Sequence, residues 1–415
     1  MFHEGDNSVS SDNSSGILSF RYTEPSSYWM PMPADMPRTY SAVMKLIQER
    51  ANEPIGKPRL MSSLGNPTPQ DWARAVINSA DKGADGRYII QFLKEPWNDG
   101  CLFIIDPAPN LPSVPGEPTR SSLAYTVENA NRLYSSSYGQ KHGFLSGEYL
   151  DSLESWTDTE DYRLSHLNNM PYPLAFDAGN LRPVVPQWFS VFAFTQFVSK
   201  DLHKRSRLLM ANTTPVKFSI FAPCVDIMGI EVNWLQDKHF QPDSDSVMSM
   251  RRCLSGKKPY LLLMNTDFNS FNHSMVEAYF QRCLFYDIFP SMFSEDAADN
   301  PYWQNPSLYN RDRDLFKKYI PLFELLYEAG WEPIPDAITD NPEVRIERYG
   351  TKMYTLLNRS SQKQRVTIKC MSSLTNTQQA SDLVTGKYYP VVSEHGILRI
   401  HLTLAGKETV LLKLR

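Results

Sequence analysis

Gly147-Glu148-Tyr149-Leu150-Asp151-Ser152-Leu153-Glu154-Ser155-Trp156 carries a strand's apolar core, followed at once by acid, serine, acid and indole where a strand gives way to a loop. In a parallel α/β barrel that end faces the cleft, because the loops after the strands gather on the C-terminal face. Side chains alternate along a strand. An Asp151 that points into the barrel mouth therefore shares its side with Tyr149 and Gly147 and sends Leu150 and Glu148 toward the helices. A buried Leu150 suits that register, and Glu148 then needs a partner on the helix side.

Outward from this stretch, apolar strand runs alternate with helical periodicity. Strands are expected at Ile17–Tyr22, Pro58–Ser62, Arg207–Asn212, Val225–Trp234, Pro259–Asn265 and Asp287–Phe293. Helices are expected near Thr39–Ala51, Thr68–Ala80, Ser121–Leu133, Ser190–Leu202, Ser244–Leu254, His273–Leu284 and Arg311–Ala329. Thr68-Pro69-Gln70-Asp71 is a helix start, with Thr as cap and Pro in the first turn. Tyr88–Leu93 and Cys101–Ile105 flank a turn-like Glu95-Pro96-Trp97-Asn98-Asp99-Gly100, which reads as a hairpin or as an extra strand beside the barrel's third. Thr157–Pro186 has little periodicity, the mark of a functional loop.

About eight strand-helix units end near Gly330, the alternation of a (β/α)8 TIM barrel. No GxGxxG follows the first strand, which weighs against a dinucleotide-binding sheet. From Trp331 the period becomes two, with short strands split by Asn, Gly and Ser turns, as in a small antiparallel β-sandwich. The expected organisation is a flexible N-terminus at 1–16, a barrel at 17–332 and a C-terminal sandwich at 333–415.

A length of 415 residues points to one large domain plus one small one, or to two of middling size. The formal net charge of -4 comes from interspersed charges with no dense basic run, so nucleic acid is not expected as a partner. Five scattered cysteines without a CxxC pair argue against a disulfide framework and a zinc site. The eight histidines form neither HExxH nor HxH, so no metal ligand and no cofactor is expected. No signal peptide is visible and no apolar run is long enough to span a bilayer; the compartment reads as intracellular, or secreted with a trimmed signal. Oligomeric state is not encoded in any pattern here.

Acids stand at several expected strand ends: Glu24, Glu95, Asp151, Glu154, Asp226, Glu231 and Asp267. A lone acid there is more often a helix cap or ion-pair partner, and that reading leads for Glu24, Glu95 and Asp267. Acid plus Trp occurs twice, which selects Asp151 and Glu231 as the catalytic candidates, with Glu154 and Asp226 in reserve as further substrate-binding acids. Trp29, Trp97, Trp156 and Trp234 are candidate stacking walls for sugar rings. Asn212, Asn265 and Asp267 are candidates for reading hydroxyls, and Arg182 for reading an anionic substituent.

The Tyr149-Leu150-Asp151-Ser152 strand end at the fourth unit, the second acid at the sixth, and Asp382-Leu383-Val384-Thr385-Gly386 in the trailing sandwich resemble retaining glycoside hydrolases of the α-galactosidase and α-glucosidase superfamily. Tyr309–Arg313 through Ala329–Pro333 is similar to the last barrel helix and junction of such enzymes. The resemblance implies a nucleophilic aspartate on strand four, here Asp151, and an acid/base on strand six, here Glu231. That group usually has Asp at the second position, so Glu231 is a departure.

These observations lead to the expectation of a glycoside hydrolase that cleaves an oligo- or polysaccharide with two carboxylates. A non-catalytic carbohydrate-binding protein on the same scaffold is the competing expectation. Metal-assisted hydrolysis is disfavoured, because no histidine cluster sits at the strand ends.

Overall fold

The structure is a computed structural model that describes residues 2–4, 8–53, 67–112, 117–296, 301–370 and 377–415. The expected strand Pro58–Ser62 lies outside the described residues. The chain divides into two compact units, Met1–Met228 and Gly229–Arg415. This differs from the division expected near residue 332.

In the first unit the strands Phe2–Glu4, Leu18–Thr23, Gly147–Leu150 and Leu208–Ala211 pair in parallel in that order. Ile227 and Met228, at the start of the Ile227–Val232 strand, continue the pairing on Met210 and Ala211. Gly147 is dictated by this packing: a Cβ there would sit 1.7 Å from the Leu208 carbonyl oxygen. Residues 1–16, expected to be loosely ordered, contain the Phe2–Glu4 strand and a helix at Val9–Ser14.

The helices fall close to their expected places, at Tyr40–Asn52, Pro69–Ser79 and Gln187–Lys204. Thr68 and Asp71 form a capping box at the start of the second. The expected helix at Ser121–Leu133 is two shorter ones, Arg120–Ala124 and Val127–Leu133, with Tyr125 between them in extended conformation.

The runs near residues 90 and 104 do not join the parallel sheet. Ile90–Glu95 and Asn98–Ile104 form a hairpin, and Ser27–Pro31 pairs antiparallel with its second strand. Gly100 permits that approach, since a Cβ there would lie 2.2 Å from the Met30 carbonyl oxygen. Its buried face holds Met30, Cys101, Phe103 and Ile105 against the Tyr40–Asn52 and Pro69–Ser79 helices. The closed barrel of eight parallel strands expected from the sequence is therefore not what the described pairings form. A two-residue turn after Glu95 sends one expected strand into a separate antiparallel sheet.

The second unit has the remainder of the Ile227–Val232 strand and the parallel pair Tyr260–Met264 and Phe289–Met292. Helices Asp245–Ser255, His273–Tyr286 and Arg313–Ala329 accompany them. A nine-stranded antiparallel sheet follows from Trp331 to Leu414. Its inward residues, among them Leu356, Ile368, Ile400 and Leu412, share one buried cluster, as in a sandwich.

This sheet is fixed to the His273–Tyr286 helix, which explains why it belongs to the same unit. Tyr349 Oη and Thr355 Oγ1 both donate to the Phe285 carbonyl at 2.8 Å. The Thr409 amide donates to Gln281 Oε1 at 3.1 Å. Among the described residues no helix is long and apolar enough to cross a membrane.

Candidate functional site

The Leu18–Thr23 and Gly147–Leu150 strands run side by side with Arg21 opposite Glu148, Tyr22 opposite Tyr149 and Thr23 opposite Leu150. Alternation then sorts the side chains onto two faces. On one face Arg21 Nη2 lies 2.7 Å from Glu148 Oε2, both fully buried, and Tyr134 Oη donates to Glu148 Oε1 at 2.6 Å. That ion pair is the partner Glu148 required.

On the other face the Tyr22 and Tyr149 rings lie 5.6 Å apart. Tyr22 Oη donates to Asp151 Oδ2 at 2.6 Å, and Tyr149 Oη lies 3.5 Å from Oδ1. Asn212 Nδ2 and the Ser152 amide donate to the same Oδ1 at 2.9 and 2.8 Å. Asn212 is held at the end of the next strand by its own amide, which donates to the Leu150 carbonyl at 2.9 Å.

The Asp151 amide donates to the Thr23 carbonyl at 2.8 Å, so Glu24 and Asp151 leave their strands as neighbours. Glu24 accepts from Ser27 Oγ and from Trp29 Nε1, the latter at 2.9 and 3.1 Å. The buried Arg120 donates to the Glu24 and Pro25 carbonyls and stacks over Trp72. Glu24 keeps a strip of solvent contact, but protein atoms crowd it on most sides. Burial and then the Asp151 charge push its carboxyl up to about 7, against the opposing pull of Ser27, Trp29 and Arg120.

Trp29 is the centre of an aromatic group, with the Trp97 ring 5.8 Å away and the Trp156 ring 6.3 Å away, both edge-on. Trp97 is 52% exposed, which leaves a face open to a ligand. Asp151, Asn212, Trp29, Trp97 and Trp156 are thus gathered in the first unit. Glu24 joins them although its acid at a strand end looked ordinary in the sequence. A short spacing to Trp29 was the only hint.

Other residues singled out from the sequence take different places. Glu154 is 1% exposed, and its carboxylate is filled by Thr214 Oγ1 at 2.8 Å and by the Val216, Lys217 and Phe218 amides at 3.2, 2.6 and 3.0 Å. It anchors the 214–218 segment and has no side free for a sugar. Asp226 precedes its strand rather than ending it, accepting from the Leu209 amide at 2.8 Å and pairing with His203 at 2.9 Å. It therefore sits at the N-terminal end of the parallel strands, away from the loops that follow them. Arg182 donates to the Ala84 carbonyl at 3.0 Å and lies over the Tyr162 ring.

In the second unit Trp234 is 1% exposed, packed against Phe240 and Tyr279, and donates to Asp243 at 3.2 Å. It is a core residue and not a stacking wall. Asn265 Nδ2 donates to the exposed Glu231 at 2.7 Å. Asp267 closes its own turn by accepting from Ser270 Oγ at 2.6 Å and the Asn269 amide at 2.9 Å, and these bonds hold its carboxyl below the usual range. Side chains suited to a metal are grouped in the first unit at Asp81, Asp106, Asp161 and His166.

No family model matches the chain, and no curated protein matches it. Solved structures do. A noncanonic maltogenic alpha-amylase from Thermotoga neapolitana is similar over 98% of this chain and 80% of its own, at 10% identity and a TM-score of 0.46. An alpha-amylase from Anoxybacillus is similar over 98% of this chain and 78% of its own, at 12% identity and a TM-score of 0.42. A GH31 family sulfoquinovosidase from E. rectale is similar over 99% of this chain and 52% of its own, at 10% identity and a TM-score of 0.46. The solved structures similar to this chain include these glycoside hydrolases.

Proposed function

We propose that this chain is a glycoside hydrolase acting on an oligo- or polysaccharide, with Asp151 and Glu24 as its working carboxyl groups. The observation that carries the reading is the contrast between them. One carboxylate is surrounded by donors, and its neighbour is held at about 7 by burial and by that first charge. Two acids whose surroundings differ in this way divide naturally into an anion and a proton carrier.

In the proposed cycle an Asp151 oxygen attacks the anomeric carbon while the bond to the leaving oxygen breaks and Glu24 gives that oxygen its proton. Water then attacks the same carbon, loses a proton to Glu24, and releases Asp151. Trp97, with Trp29 and Trp156 behind it, offers the flat apolar surface for a sugar ring. Glu24 takes the part that the sequence assigned to Glu231.

The test is release of new reducing ends from a glycan panel by the wild type, Asp151→Asn, Glu24→Gln and Glu231→Gln. The proposal expects the first two variants to lose turnover and Glu231→Gln to retain it. Loss in Glu231→Gln with retention in Glu24→Gln would return the proton transfer to Glu231. A second reading, carbohydrate binding without cleavage, draws on the protein donors that already occupy the Asp151 carboxylate. It is met if glycans bind and no reducing ends appear.

A further inference from the structure

Asp81, Asp106, Asp161 and His166 come from four separate stretches of the first unit. Asp81 lies just past the Pro69–Ser79 helix and Asp106 just past the Asn98–Ile104 strand. Asp161 belongs to the two-residue strand Glu160–Asp161 and His166 to the helical turn Leu164–Leu167. Each is at most 1% exposed. One ligand atom from each lies within 4.8 Å of all the others. His166 Nδ1 is 2.5 Å from Asp161 Oδ2, 3.5 Å from Asp106 Oδ2 and 4.0 Å from Asp81 Oδ1.

Part of this group is satisfied by protein. The Lys82 and Arg163 amides donate to Asp161 Oδ1 at 2.8 and 3.0 Å, and the Ala108 amide to Asp106 Oδ1 at 2.7 Å. The Arg163 guanidinium, the nearby cation, donates to the Ile77 and Ala80 carbonyls. Among the described residues neither oxygen of Asp81 has a hydrogen-bond partner, and nor do Asp106 Oδ2 and His166 Nε2. Asp81 is 0% exposed. A carboxyl group removed from water with both oxygens unmet is costly unless a proton or a cation reaches it.

We propose that Asp81, Asp106, Asp161 and His166 form a site for a divalent first-row transition-metal ion of the Mn2+ or Zn2+ kind. Carboxylate oxygens with one imidazole nitrogen are the donors such ions accept, and two positive charges offset most of the three carboxylates. Ligands across such an ion stand about 4 Å apart and adjacent ones about 3 Å, so the Asp81 and Asp106 oxygens need little movement while His166 Nδ1 and Asp161 Oδ2 move slightly apart. The ion staples the segment carrying Asp161 and His166 to the chain at Asp81 and Asp106. The site lies outside the Asp151 and Glu24 pair and takes no part in the bond cleavage proposed there.

The test uses the full chain, stripped by a chelator and returned to Mn2+ or Zn2+, with metal content, calorimetric uptake and thermal melting as readouts. Tight uptake of about one ion per chain and a rise of several degrees in Tm are expected. Asp81→Asn and His166→Gln each weaken uptake about tenfold or more and remove the Tm response. Wild-type protein that takes up neither ion, or variants that bind as tightly as wild type, overturn the proposal. Wild-type uptake decides the matter even where a variant fails to fold. None of these readouts depends on glycan hydrolysis, so the two proposals fail separately.

Discussion

The Asp151 amide donates to the Thr23 carbonyl at 2.8 Å, and this bond makes Glu24 the neighbour of Asp151 where two parallel strands end. Burial first, and the Asp151 charge second, favour the neutral Glu24 carboxyl. Glu24 holds a proton to about pH 7, where a free glutamic acid releases it near 4.5.

Stability should follow that proton. Between pH 4.5 and 7 the folded chain retains a proton that the unfolded chain has lost, so stability falls as pH rises through this window and the loss is complete above it. Its full size is roughly 3 kcal/mol. Glu24→Gln has no proton to lose, so its stability should exceed that of wild type at pH 8 and converge with it at pH 4. Denaturant titrations at both pH values measure this. Equal differences at both would remove Glu24 as the titrating group.

Arg21 and Glu148 offer a double-mutant cycle. Arg21→Met leaves a buried carboxylate without its cation and should cost about 3–5 kcal/mol. The double variant Arg21→Met with Glu148→Leu should recover most of that loss, as judged by unfolding midpoints.

Glu154→Gln tests an anchor. It places an amide where the Thr214 hydroxyl and three backbone amides now meet a carboxylate, and should cost about 2–4 kcal/mol. A change within experimental error would show that the 214–218 segment holds itself in place.

Trp97→Ala should separate binding from folding. With half its surface exposed, its loss should change stability by about 0.5 kcal/mol or less. Glycan affinity should fall about fivefold, since an aromatic contact of this kind is worth about 1 kcal/mol. Calorimetry with the best glycan of the panel reads both.

Much of the fold was legible because period and capping are local. Thr68-Pro69 marks its helix to the residue, and the alternation at Gly147–Leu150 correctly sent Glu148 to an ion pair and Tyr149 toward Asp151. The turn-like Glu95–Gly100 stretch showed the hairpin as one of two readings, but apolar runs do not declare their partners, and nothing local marked Ser27–Pro31 as the strand beside it.

The site was harder for the same reason. Acid plus indole looks alike whether the indole joins a partly exposed aromatic group, as Trp156 does beside Trp29, or a core, as Trp234 does beside Tyr279. Asp226 was counted among the strand-end acids although its expected strand, Val225–Trp234, already put it at the start, and the observed strand Ile227–Val232 leaves it there. Glu24 owes its proton first to burial and then to the Asp151 charge, and His166 meets Asp81 across 84 intervening positions of sequence. No local pattern encodes either.

The most direct test is the rate of reducing-end release by wild type and by Asp151→Asn on the same glycan. The account predicts measurable turnover in the wild type, declining as pH rises through about 7, and a loss of about a thousandfold or more in the variant with its fold and glycan binding retained. Equal rates in the two proteins would contradict it.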